Sequence, residues 1–201
     1  MAEEIEMKLT VSDTVSLDEV RGVCSFLSGG EGRTAKMMAR YFDTEDGALG
    51  AVRLAYRTRK EGYRWVACLK GGGASEGGLH QRMEVEREVD SGDADLAVFA
   101  DTDGAELVKP YLSAELVPIV ETEFTRTSWL MGDRTAKIEI ALDEGEIRAG
   151  SKTAPIREIE LELKSGEVEA VHVLANWLKQ QFALTEENDS KYARGLALRR
   201  G

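Results

Sequence analysis

Cysteine and histidine are scarce in this 201-residue chain, with two of each. Cys24 and Cys68 lie far apart and form no C-x-x-C pair, so they are expected as reduced core residues. His80 and His172 have no partner at ligand spacing, which leaves no histidine-based metal centre to expect. Long apolar runs are missing too. None approaches the roughly 20 residues that a membrane helix needs. Basic residues are in deficit: 26 Lys and Arg face 37 Asp and Glu, a formal net charge of −11. That is the wrong balance for a general nucleic-acid binder, although a small polyanion stays open as a ligand. The acidic start Met1-Ala2-Glu3-Glu4 leads straight into a strand rather than a signal peptide, so the cytoplasm is the expected location. The glycine-rich run 71–78 lacks the G-x-x-x-x-G-K-[ST] spacing and falls between two strands, so it is no phosphate loop; a mobile loop is expected there.

What the chain does have is charge arranged with a period of two. With 42% apolar and 31% charged residues and no linker or break in composition, one globular domain over residues 1–201 is expected. In Glu4-Ile5-Glu6-Met7-Lys8-Leu9 an extended backbone sends Glu4, Glu6 and Lys8 to one face and the apolar residues to the other. Two such carboxylates, about 7 Å apart by strand rise, suit a shared hard cation. The pattern returns at 156–164, where Glu158, Glu160, Glu162 and Lys164 oppose Ile159, Leu161 and Leu163. Arg57 pairs with Arg59, Lys70 with Arg64, and Arg82 with Glu84, Glu86 and Glu88, while Lys137, Glu139 and Asp143 share a face and Arg126 lies in a further strand.

Ser16-Leu17-Asp18-Glu19 predicts a capped helix to about Leu27, stopped by Gly29-Gly30. Strands are predicted over 34–42, 52–60, 63–70, 81–89, 118–131, 135–142 and 156–164. A turn is predicted at 46–50, one or two helices at 93–111, an amphipathic helix at 167–182 and a short helix at 190–198. Trp65, Trp129 and Trp177 read as core or helix-packing residues. One charged face per strand is ordinary for a sheet with a wet side. Faces of nearly pure Arg, Lys and Glu on about six strands are less so. If the helices cover the apolar face, the charged face becomes the inner wall of a curved sheet, where buried charge needs a partner or an ion. Periodicity by itself leaves open which face points inward.

The ordered motifs resemble the CYTH superfamily, the triphosphate tunnel metalloenzymes, over essentially the whole chain. Glu4-Ile5-Glu6-Met7-Lys8 resembles its E-x-E-x-K signature, Tyr41-Phe42-Asp43-Thr44 the end of its second strand, and Tyr56-Arg57-Thr58-Arg59 its L-R-x-R strand, with Tyr in place of Leu. Trp65 through Leu69-Lys70-Gly71 is similar to its W-x-x-x-L-K-G segment, and 78–84, 138–143, 158–164 and 190–195 follow in the family's order. The resemblance implies an α+β fold: a closed antiparallel eight-stranded β-barrel, or tunnel, with a charged interior and helices packed outside. It implies hydrolysis of triphosphate compounds with Mg²⁺ or Mn²⁺. By carry-over, Glu4, Glu6, Glu160 and Glu162 hold metal, with Glu84, Glu86 or Asp143 available for a second ion. Lys8, Arg57, Arg59, Lys70, Arg82, Arg126 and Lys191 grip phosphate oxygens, and Glu4, Glu6 and Lys8 form the catalytic set. The substrate expected is tripolyphosphate, with thiamine triphosphatase or adenylyl cyclase activity, or polyphosphate binding without turnover, as alternatives. No nucleic-acid or membrane partner is expected. Bacterial members of this type often carry a helical CHAD domain, so the sequence reads as a stand-alone form or as a domain of a longer chain.

Overall fold

The computed structural model describes residues 2–200, and the side chains of all of these except residues 2, 3, 72–76 and 80–82. The strands are β1 (Ala2–Val11), β2 (Arg33–Asp43), β3 (Leu54–Glu61), β4 (Arg64–Glu76), β5 (Leu79–Val89), β6 (Val117–Gly132), β7 (Lys137–Ala149), β8 (Lys152–Ser165) and β9 (Leu184–Glu186). The longer helices are α1 (Leu17–Ser28), α4 (Glu169–Gln181) and α5 (Lys191–Arg200), with the single turns α2 (Ala48–Ala51) and α3 (Ala105–Val108) between. The fold is α+β, built on one nine-stranded antiparallel sheet in the order β5-β4-β3-β2-β6-β7-β8-β1-β9. β1 is also paired with β5, from Ala2 opposite Glu84 to Met7 opposite Leu79.

The period-two faces take opposite roles. Met7, Leu9 and Val11 of β1 bury with Leu142, Ile159 and Leu161 beneath α1 and α4, which contribute Val20, Cys24, Val171 and Leu178. Phe42, Tyr56 and Leu69 form a second core with Phe99 and Val108, and a third gathers Tyr41, Val120, Ile147 and Ile156 around Tyr192 of α5. With helices on the apolar side, the charged residues of the same strands face the other way. α1 begins as its sequence requires: Ser16 Oγ accepts from Glu19 N at 3.5 Å, and Gly29 ends the helix at φ 71°.

Four expectations change. The glycine-rich run is strand: β4 continues to Glu76, because its backbone keeps pairing with β5, and the turn shrinks to Gly77-Gly78, both at positive φ. The helices expected at 93–111 break into short turns. Asp95 and Thr102 bond local backbone there, and the competition cuts each helix to a turn. A ninth strand, β9, joins β1 opposite Leu9–Val11; three residues are too few to show a period. Trp129 is buried with its Nε1 donating to Ser25 Oγ at 3.1 Å, but Trp177 on α4 is 37% exposed. Both cysteines are free and buried, as expected. Among the described residues no helix is long and apolar enough to cross a membrane.

Candidate active site

The charged strand faces enclose a cavity of about 560 Å³. Among the described residues its wall carries seven cations (Lys8, Arg57, Arg59, Lys70, Arg126, Lys164, Lys191) and eight glutamates (positions 4, 6, 61, 84, 86, 139, 160 and 162). Every site residue inferred from the sequence whose side chain is described lies on this wall, with one exception. Asp143 is fully buried just behind it. Arg82 has its backbone opposite Glu4, and its side chain lies outside the described residues, as does that of His80.

Strand register explains the meeting. Lys8 on β1 faces Glu160 on β8, and Glu6 faces Glu162, which in turn faces Glu139 on β7. Lys8 Nζ lies 2.7 Å from both Glu160 Oε1 and Glu6 Oε1. Lys70 Nζ bridges Glu4 at 2.8 Å and Glu84 at 2.9 Å. Arg126 forks onto Asp143 with two bonds of 2.7 Å and also reaches Glu160. From α5, Lys191 Nζ enters the same group, 2.7 Å from Asp143 and 3.0 Å from Glu160, and pairs with Glu158 as well. Arg57 stands 3.8 Å from Glu84 and 3.7 Å from Glu86, and Arg59 pairs with Glu61.

Ionisation follows from these neighbours. Burial opposes the charge on Glu160, but Lys191, Lys8 and Arg126 outweigh it and hold the carboxyl well below the usual range. Glu6 and Glu84 are lowered likewise, burial being overcome chiefly by Lys8 and by Lys70 respectively. Glu158 and Glu162 are raised by burial, and for Glu162 by the charges of Glu4 and Glu139 too. Lys8 and Lys191 are raised: burial works against their charge, and Glu160 and Asp143 respectively lead the carboxylates that prevail. Cys68, whose Sγ donates to Glu84 at 2.9 Å, is pushed by burial up to about 12 and stays a thiol.

A divalent ion fits the donors present. Asp143, Glu158 and Glu160 offer oxygens within 4.8 Å of one another, and Glu84 and Glu86 lie together beside the Cys68 thiol in a second group. The Glu6, Glu162 and Glu139 row sets like charges on adjacent strands, an arrangement that positive charge between them relieves. Carboxylate oxygens are the ligands of hard cations such as Mg²⁺ and Mn²⁺. Sequence reasoning left Glu139, Glu158, Arg194, Tyr41 and Phe124 out of the site. Glu158 was legible as the first of three glutamates at period two, and it takes Arg194 Nη1 at 2.7 Å as well as Lys191. Tyr41 and Phe124 read as ordinary strand hydrophobics, and nothing in their spacing marks a cavity wall.

A broad antiparallel sheet with helices on its apolar face and a cavity of opposed cations and carboxylates on its charged face defines a charged-pocket α+β protein. The chain belongs to the CYTH domain family, whose model matches residues 2–196. It is 32% identical to the inorganic triphosphatase of Haemophilus influenzae over 98% of its own length, and spans 55% of that curated relative. Among solved structures, it resembles a Hippeastrum protein classed as an adenylyl cyclase candidate and described as having a dominant triphosphatase activity. That match has a TM-score of 0.70 and 21% identity, covering 96% of this chain and 95% of the other. A protein from Pyrococcus horikoshii matches at TM-score 0.59 and 18% identity, over 96% and 98% of the two chains. These two likenesses carry the fold.

Proposed function

We propose that this chain hydrolyses tripolyphosphate to pyrophosphate and phosphate, using Mg²⁺ or Mn²⁺. The observation that carries the reading is the cavity wall itself, where the E-x-E-x-K strand, its echo at Glu160, Glu162 and Lys164 and the Arg and Lys rows of the other strands face one space. The name of the Haemophilus influenzae relative supports the same activity. The β1–β5 pairing, added to the strand order, supports reading the eight long strands as a closed tunnel over a single domain. Two free, buried cysteines accord with a reducing, cytoplasmic setting.

Phosphoryl transfer asks mainly for positioning and charge neutralisation. Arg57, Arg59 and Arg126 offer planar forks to phosphate oxygens, while Lys8, Lys70 and Lys191 act as point charges. Glu4, Glu6, Glu160 and Glu162 hold the ion, with Glu84, Glu86 and Asp143 as the carboxylates beside them. A bound divalent ion supplies charge neutralisation along the phosphate chain. Glu6, held ionised beside Lys8, is the carboxylate assigned to orient water in line with the terminal phosphorus. The water oxygen then bonds to that phosphorus as the bridging P–O bond breaks, pyrophosphate leaves with the bonding pair, and the water's proton passes to solvent.

Phosphate release from tripolyphosphate, thiamine triphosphate and ATP, each with Mg²⁺, with Mn²⁺ and with chelator, tests this directly. Turnover of tripolyphosphate that chelator abolishes is expected. Pyrophosphate from ATP without free phosphate points to cyclisation instead, and tight binding without turnover to a binding module. Glu6→Gln is expected to abolish metal-dependent hydrolysis while keeping the fold by circular dichroism; full activity in that variant refutes the assignment.

A further inference from the structure

Phe124 is a buried ring in a wall otherwise made for charge. It lies on β6 two residues before Arg126, is 7% exposed and borders the cavity. Two cations converge on it: Lys191 Nζ stands 4.9 Å from the ring centroid and Arg126 Cζ 5.6 Å. Both fall within the roughly 6 Å range of cation–π attraction, which is strongest where water is excluded. The same two cations meet at one oxygen, each 2.7 Å from Asp143 Oδ2. They come from different elements, a strand and a helix, and like charges so close would separate without a common support. Asp143 and Glu160 each pair with both cations, and the negative face of the ring meets them as well.

The strand beside Phe124 is built to leave it room. Opposite it on β7 stands Gly145. A Cβ there would overlap the Glu123 carbonyl and lie 2.5 Å from Phe124 Cα and 2.6 Å from its Cβ. Its other neighbours are the apolar cluster of Tyr41, Val120, Ile147 and Ile156, so the residue joins the core to the charged wall.

We infer that Phe124, with Gly145 behind it, is a positioning residue that seats Lys191 and Arg126 side by side in the phosphate-gripping wall. The inference rests on the proposed triphosphatase reading for what those cations grip. Phe124 itself bonds no phosphate oxygen. Its part is to fix where two cations stand before substrate arrives, which lowers the reorganisation that binding requires.

The test compares Phe124→Leu with Phe124→Tyr in the full chain. Leucine keeps most of the apolar volume and removes the π face; tyrosine keeps the face. With Phe124→Leu the KM for tripolyphosphate is expected to rise about tenfold with kcat within about twofold, the size of one desolvated cation–π contact. Phe124→Tyr is expected to stay near the parent. An unchanged KM in the leucine variant, or an equal loss in the tyrosine variant, overturns the inference. A readout independent of turnover is the NMR of the Lys191 side chain, whose terminal methylene protons are expected upfield under the ring. Free-lysine positions in the unmutated chain overturn the inference even if the leucine variant fails to fold. A chain that turns over no triphosphate yet keeps the ring-shifted Lys191 refutes the function and supports the seat.

Discussion

Lys191 stands where Asp143, Glu158 and Glu160 meet, all of them buried. Removing one member of a buried ion group leaves the others uncompensated, which costs about 3–5 kcal/mol. Lys191→Met, close in length and apolar, is therefore expected to lower unfolding stability by about that amount in urea titration. A loss near zero would mean that Arg126 and Arg194 compensate the carboxylates unaided. The same group sets the acid limb of stability. Glu160, Glu6 and Glu84 have folded pKa values below the unfolded ones, so their stabilisation is present above the usual carboxylate range and is lost as pH falls through the folded values. Glu158 and Glu162 are raised and act oppositely, favouring the folded state most while they hold their protons. The two effects occupy different windows: the lowered carboxyls lose stability below the usual carboxyl range and the raised ones lose it as they ionise above that range, so stability is expected to peak at about pH 4–5. Thermal melts across pH 2–8 check it; a profile that is level from pH 5 to 8 would show that Glu158 and Glu162 are not raised in the folded state.

At the scale of elements, α5 is the piece that brings Lys191 to the sheet, and Gly195 is what lets it approach. A Cβ at 195 would overlap a Val120 methyl and stand 2.7 Å from the other. Helix propensity favours alanine over glycine by about 1 kcal/mol. Overpacking against a stiff β-branched residue costs about 1–3 kcal/mol and wins. Gly195→Ala is expected to lower Tm and raise the KM for tripolyphosphate together, and adding Val120→Ala is expected to restore both. A rise in Tm from Gly195→Ala by itself would show that α5 has slack. The charge of Lys191 was legible in the sequence, but this approach was not, since spacing within α5 says nothing of which strand residue meets Gly195. The strands were legible because period-two alternation is a local property: β1, β3 and β8 emerge close to the residues read from the sequence. The continuation of β4 through its glycines was not, because pairing with β5 holds backbone that has no side-chain pattern to read. The same limit hid β9 and the breaking of the helices at 93–111.

For the whole molecule, the decisive unknown was which face of the sheet points inward. Alternation yields two faces with equal clarity, and only the apolar stripes of α1 and α4, buried against Leu9, Leu142 and Leu161, fix the charged one as the cavity side. Once that is fixed, the charge of the cavity constrains what can enter it. Among the described residues seven cations stand against eight glutamates, and most of these cations are already paired with a carboxylate. A bare polyanion must break Lys–Glu pairs and leaves their carboxylates facing new negative charge. A divalent ion entering by itself meets carboxylates still held by lysine. Brought together, the two exchange one set of ion pairs for another, the anion taking the lysines and arginines and the metal the glutamates. Their binding is therefore expected to be mutually dependent. With a non-hydrolysable imidotriphosphate as probe, calorimetry is expected to show Mg²⁺ tightening anion binding within the about 5–150-fold span typical of coupled sites. By reciprocity the anion must tighten Mg²⁺ binding by the same factor. Equal affinity for the probe with Mg²⁺ and with chelator would mean that the cations of the wall bind the anion without help. The glutamates would then serve only to hold the lysines in place.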